Sequence, residues 1–134
     1  LFTKMEQYSK ALLHYEKEFE IRQRIFPANH PDLAASYRNI AMTYASMHEY
    51  KKTLTYYEKA LQIYQKTLST NHPRLITCYS NIGSAHLHLG DYCKASFYYT
   101  KALEMKEQTL PNHDISFVRS YNNIGSLHYR MEQY

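Results

Sequence analysis

The chain has no tryptophan, two cysteines, three glycines and four prolines among its 134 residues. Two cysteines are too few for a disulfide framework, so a packed core has to hold the fold. Cys78 and Cys93 fall near the starts of two helices expected to run antiparallel, at opposite ends of that pair. A rise of 1.5 Å per residue separates them by about 15–20 Å, well beyond the roughly 7 Å between Cα atoms that a disulfide spans. Two reduced thiols, and with them a cytoplasmic setting, are expected. No apolar run approaches the ~18 residues that cross a bilayer, and no basic-then-apolar leader precedes the first helix, so no membrane partner is expected. A net charge of +4 is small. Lys51, Lys52, Lys59, Lys66, Lys94 and Lys101 alternate with glutamates instead of forming a stripe, which disfavours nucleic acid.

What the chain has in excess is tyrosine, fifteen of them, and they recur. Tyr8, Tyr50, Tyr92 and Tyr134 each follow a short polar turn and each lies 42 residues after the last. The same offset carries Tyr37 onto Tyr79 and Tyr121, Asn39 onto Asn81 and Asn123, Ile40 onto Ile82 and Ile124, and Tyr15 onto Tyr57 and Tyr99. A fixed period of this size signals stacked helix pairs rather than a globule with one centre. The organising stretch is Tyr79 to Leu103. Leu75, Tyr79, Ile82, His86 and Leu89 recur at steps of four and three and share one helical face. Gly90-Asp91 breaks the run, and a second stripe follows through Tyr92, Ala95, Tyr99, Ala102 and Leu103.

NIGSAHLHLGDYCKASFYYTKAL resembles a tetratricopeptide repeat, with the family's slots falling at Tyr79, Ile82-Gly83, His86, Gly90-Asp91-Tyr92, Ala95, Tyr99 and Ala102. The period exceeds the usual 34, and the Asn-His-Pro linkers resemble the long variety of kinesin light chain and nephrocystin-3. Departures are His86 and His128 in the slot held by Tyr44, Thr53 and Glu18 in small-residue slots, and His48 and Glu132 in the turn-glycine slot. The resemblance implies an all-α fold, an α-α superhelix of antiparallel helix pairs. Its units would be about 1–30 (partial), 31–72, 73–114 and 115–134 (partial), a single array segment over 1–134 cut from a longer array.

Taken in order, residues 1–5 read as the tail of one helix and Tyr8–Phe26 as the next, with Leu12, Tyr15, Phe19 and Phe26 inward. Helices follow at Leu33–Met47, Tyr50–Leu68, Leu75–Leu89, from Tyr92, and at Ser116–Met131. Proline linkers separate the pairs, and Pro31 suits the first helical turn because its missing N–H is no loss there. Met5-Glu6-Gln7-Tyr8 recurs at Met131-Glu132-Gln133-Tyr134, so the two edges are complementary and head-to-tail self-association is expected between copies.

Catalytic chemistry is not in evidence. His30, His72 and His113 sit one repeat apart, and His86 and His88 point about 200° apart, whereas helical chelation uses i and i+4. No metal and no cofactor is expected. Neither cysteine has a repeat-fixed histidine, there is no Gly-rich phosphate loop, and Glu16, Glu18 and Glu20 mix with Lys17 and Arg22 as a solvated face. The segment is not expected to be an enzyme.

The informative pattern is where acids are missing. The expected first helices of the pairs hold Arg38, Arg119 and Arg130 but no Asp or Glu. In tetratricopeptide arrays those helices line the concave groove, so the resemblance implies a positive groove suited to a protein or peptide ligand of acidic or C-terminal-carboxylate character. Asn39, Asn81 and Asn123 hold one slot of three successive first helices. Asparagine is a poor helix former, so its recurrence needs a reason. A ladder of amides could hold an extended peptide backbone, as asparagines at this slot do in the family, or it could bond the neighbouring repeat and lock the stack; both readings stand. Arg38, Ser80 and Asn122 lie beside the slot. Met42, Ser84, Leu87, His88, Arg119, Ser126 and Tyr129 differ between repeats and would set specificity. The chaperone-tail clamp of some relatives is not formed, since Arg38/Met42, Ser80/Ser84 and Asn122/Ser126 occupy its positions.

The function implied is a non-catalytic interaction scaffold or adaptor that holds a partner's peptide in the groove. Two alternatives are an array appended to an enzyme domain such as a transferase or NTPase, and a self-assembling structural array.

Overall fold

A computed structural model describes residues 2–133; the repeat positions Leu1 and Tyr134 lie outside them. The described residues form six helices: α1 (Phe2–Ile25), α2 (Pro31–Ser46), α3 (Tyr50–Thr67), α4 (Pro73–His88), α5 (Tyr92–Thr109) and α6 (Ser116–Glu132). There is no strand among them. Two compact units emerge, Leu1–Leu68 with α1–α3 and Ser69–Tyr134 with α4–α6.

In the first unit, α2 and α3 make a hairpin through a Schellman turn. His48 takes the left-handed φ of 61°, Glu49 N–H donates to Tyr44 O at 2.9 Å, and His48 N–H donates to Ala45 O at 3.0 Å. The second unit repeats this between α4 and α5. Gly90 has φ 81°, Asp91 N–H reaches His86 O at 2.9 Å and Gly90 N–H reaches Leu87 O at 3.1 Å. Glu6 occupies the same repeat position, and the expected turn there does not form. The chain runs through it as one continuous α1. Lys4, Met5, Glu6 and Gln7 are all good helix formers, and all four are exposed.

Each linker closes by one recurring device. His30 and His72 cap their helices through Nδ1, which accepts from Asp32 N–H and Arg74 N–H at 3.1 Å each, and Pro31 and Pro73 follow in the first turn. Asp114, not His113, holds that register in the third linker, and its Oδ1 accepts from Ser116 N–H at 2.9 Å. α2 and α4 therefore begin two residues earlier than the apolar stripes suggest, while α6 begins at Ser116 as expected and runs one residue longer. Asp32 falls inside α2 and Glu132 inside α6, so of α2, α4 and α6 only α4 is free of acids.

Leu33, Ile40, Tyr57, Leu61, Ile63 and Tyr64 are buried in the first unit, and Leu75, Tyr79, Ile82, Tyr99, Met105 and Leu127 in the second. Each large apolar side chain so buried contributes about 1.5–3 kcal/mol. Leu89, expected on the buried stripe, caps α4 and is exposed. The tyrosine excess is used as ring packing. Tyr56 lies against Tyr37 and Tyr44 with centroids 6.2 and 5.6 Å away, and Tyr98 lies against Tyr79 and His86 at 6.0 and 5.6 Å. His86 keeps the stack of the tyrosine it replaces, its ring within 6° of parallel to Tyr98. His128, in the same slot of α6, is exposed.

Candidate functional site

The residues at the recurring asparagine slot are placed alike in both units. Asn39 on α2, and Asn81 and Asn123 on α4 and α6, are half-buried. None of the three side-chain amides bonds to another described residue; Asn39 is engaged only through its backbone carbonyl, which accepts from Thr43 Oγ1 at 2.9 Å. Beside the slot in the first unit, Arg38 has its Nε buried without a hydrogen-bond partner among the described residues. Met42 is half exposed.

In the second unit the expected residues separate into two groups. Ser80 and Leu87 are buried, and Leu87 belongs to a core cluster with Ala95, Tyr99 and Leu127. That corrects the expectation that Leu87 reads ligand, because its stripe position faces α5 and α6. Ser84 is hydrogen-bonded to the Tyr99 hydroxyl and its carbonyl meets His88 Nδ1 at 2.8 Å, so it supports the helix pair from within. Arg119, Asn122, Ser126 and Arg130 are exposed on α6, as is His88 on α4. Asn122, Ser126 and Arg130 share a shallow hollow of about 500 Å³ with Gly125 and Tyr129.

A second cavity, of about 590 Å³, lies among the linker Ser69–Pro73, α4, the end of α5 and the start of α6. Ile76 and Leu110 give it apolar wall, while Lys106 and Arg119 bring two cations to it and no carboxylate lines it. Asn71, at φ 66°, holds the linker to α5 by donating to Gln108 Oε1 at 2.9 Å. Lys106 is a buried amine, 8% exposed, whose Nζ donates to Ser116 O at 3.1 Å and to Ser120 Oγ at 2.8 Å. Burial holds its pKa below the ordinary lysine range, the neighbouring Arg119 charge lowers it further, and Asp114 acts against both.

Sequence reasoning did not single out Lys106, because a lysine in a helix of mixed charge reads as solvated. The signal that could have found it is the repeat itself. Arg22, two periods earlier, donates from one NH group to Asp32 O at 3.1 Å and to Ser36 Oγ at 2.9 Å, the counterparts of Ser116 and Ser120. The same cationic clasp therefore ties α1 to α2 and α5 to α6.

Among the described residues no three His, Cys, Asp or Glu side chains gather as metal ligands. No helix among them is long and apolar enough to cross a membrane. Neither cysteine forms a disulfide; Cys93 is exposed, and burial pushes the Cys78 thiol up to about 12, which leaves it protonated and unreactive.

Helix pairs closed by matching turns and recurring at a fixed period, with polar side chains repeated on their first helices, define an all-α helical-repeat class. The family model for the tetratricopeptide repeat matches residues 32–108. The chain belongs to the tetratricopeptide repeat family. Among solved structures it is similar to a kinesin light chain with nearly identical TPR-like repeats from Podosopora anserina, at TM-score 0.77 and 20% identity, covering 98% of this chain and 65% of that one. A singly substituted form of that protein aligns at TM-score 0.83 and 19% identity over 95% of this chain and 60% of that one. BtubC (BKLC) from P. vanneervenii aligns at TM-score 0.84 and 25% identity, over 96% of this chain and 51% of that one. The chain thus spans between half and two thirds of the length of these structures. No curated protein matches it in sequence.

Proposed function

We propose that this chain is a non-catalytic adaptor that holds an extended, acidic peptide segment of a partner protein against its first helices. The observation that carries this reading is the uncommitted asparagine amide. Asn39, Asn81 and Asn123 recur in helix interiors, where asparagine is unfavourable, and none bonds to another described residue. A stack-locking role would commit those amides; a ligand backbone, which offers donors and acceptors at regular spacing, would use them.

The cavity in the second unit supports an anionic ligand. Lys106 and Arg119 repel one another there, and Lys106 has two of its three donors committed. An anionic side chain or terminal carboxylate offsets that repulsion, and the apolar wall accepts its aliphatic stem. Two cysteines outside any disulfide fit a reducing, cytoplasmic setting for such an adaptor.

The test is an array of peptides matched in length and hydrophobicity and differing in charge, probed with the wild type and with Arg119→Ala. Acidic peptides should be retained and their binding should weaken with salt. Arg119→Ala should slow association and flatten that salt dependence. Equal retention of acidic, neutral and basic peptides would contradict the proposal.

A further inference from the structure

The cavity at the linker end of the second unit adjoins the asparagine slot. Thr77 and Arg119 line it, and they lie four residues ahead of Asn81 and Asn123 respectively. That spacing puts each pair on one helix face, with Cβ atoms about 5–6 Å apart. A chain lying along the slot therefore carries a side chain within reach of the cavity. The position is open inside the repeat as well: Thr77, one period before Arg119, is exposed although α5 and α6 both stand after it.

The side chains around the cavity are set to give hydrogen bonds. Lys106, 8% exposed, commits two of its three N–H donors to Ser116 O and Ser120 Oγ and has one left. Arg119 has no hydrogen-bond or ion-pair partner among the described residues. His72 accepts Arg74 N–H at Nδ1, so its neutral ring carries the proton on Nε2, a further donor. Asp114, the acid whose charge reaches Lys106, accepts from Ser116 N–H and does not line the cavity.

Two cations held together are matched by two negative charges. A carboxylate brings one. A phosphomonoester carries about −1.5 to −2 at pH 7 and offers three acceptor oxygens, which a lysine and a forked guanidinium can share. We propose that the cavity receives a phosphorylated serine or threonine of the peptide that the asparagine slots hold. This rests on the peptide-binding reading above and narrows its anionic group from a carboxylate to a phosphomonoester. Lys106 would give its remaining N–H to one oxygen, Arg119 would pair with the others, and Ile76 and Leu110 would meet the short stem that carries the phosphate. A free phosphate would use the cavity alone, whereas the four-residue register with Asn81 and Asn123 serves a phosphate borne on a peptide.

The test is a library of acidic peptides, each made with phosphoserine, glutamate or serine at one position. They are titrated against the 134-residue chain, Arg119→Ala and Lys106→Met, with thermal melts alongside. Phosphoserine forms should bind about tenfold or more tighter than their glutamate counterparts. Arg119 is exposed, so Arg119→Ala should keep the fold, and it should remove most of that advantage while weakening the glutamate peptides less. Lys106→Met should also shrink the advantage, its melt showing how far the fold persists. Phenyl phosphate should displace a phosphopeptide only in large excess. Equal affinity for the phosphoserine and glutamate forms would overturn this proposal and leave the acidic-peptide reading standing. So would an advantage that survives in Arg119→Ala, or phenyl phosphate competing as well as the phosphopeptide, which would assign the cavity to a free phosphomonoester. Retention of no peptide at all would overturn both.

Discussion

Lys106 donates to Ser120 Oγ across 2.8 Å, and Arg22 makes the same bond to Ser36 across 2.9 Å two periods earlier. The lysine version is sensitive to pH in a way the always-charged arginine is not. Well below its folded-state pKa the Lys106 ammonium is charged in both states, and its dehydration costs the fold. As pH rises from that pKa to the ordinary 10.5, the folded protein sheds the proton first and the cost is relieved. Buried tyrosines such as Tyr99 titrate the opposite way in this range, because burial raises them and deprotonation then favours the unfolded chain. Comparing wild type with Lys106→Met cancels that shared term. Denaturant unfolding from about pH 8 to about pH 11 should show the wild type gaining on the variant as pH rises; a constant difference would contradict the assignment.

Gly83 and Gly125 share one repeat position yet predict opposite outcomes. Gly83→Ala drives a methyl into the near edge of the Tyr99 ring, an overpacking that costs about 1–3 kcal/mol. Gly125→Ala meets open space and should stabilise α6 by about 0.5–1 kcal/mol, the helical advantage of alanine over glycine. Thermal melts of the two variants check both signs.

Much of this architecture was legible because the period is long and regular. Tyr50, Tyr92 and the proline linkers placed the helix starts within two residues, and most of the central stripe emerged as read, with Leu75, Tyr79, Ile82, His86, Ala95, Tyr99 and Ala102 buried. Three features were not legible. Periodicity assigned Glu6 a turn by its register with His48 and Gly90, but a turn needs a bent packing partner as well as a register. Tyr56 and Tyr98 stand one residue off the stripe, and only coordinates reveal that their rings bridge two aromatics of the preceding helix. The linker histidines are set aside as metal ligands by their spacing, but nothing in the sequence shows that His30 and His72 use their Nδ1 lone pairs as helix caps. The asparagines and Arg119 are candidates that pattern alone singles out; Lys106 escapes it because its burial depends on how the end of α5 meets α6.

Those caps yield the third prediction. His72→Ala should cost about 0.5–2 kcal/mol, as loss of a side-chain cap does, and His72→Asn should restore most of it. Asp114, one residue ahead of the α6 N-cap Ile115, accepts from the first N–H of α6 as an anion, and its hydrogen bonds from Ser116 hold its carboxyl below the ordinary carboxylate value. Its contribution is present above that ordinary value and fades as pH falls through the depressed one. Asp114→Asn, which caps without titrating, should therefore flatten acid unfolding below about pH 4 relative to the wild type. Superimposable acid unfolding curves would contradict it.

The central claim is that the asparagine slot serves a ligand and not the stack, and Asn81→Ala separates the two. A peptide from the acidic class would be titrated calorimetrically into wild type and variant, with thermal melts run alongside. One neutral hydrogen bond lost, with an unsatisfied partner left behind, predicts about a 3- to 30-fold drop in affinity, while the melting temperature stays within about a degree of wild type for a side chain that bonds nothing in the free protein. A melting temperature lowered by several degrees with affinity untouched would contradict the claim and make the slot a stacking device.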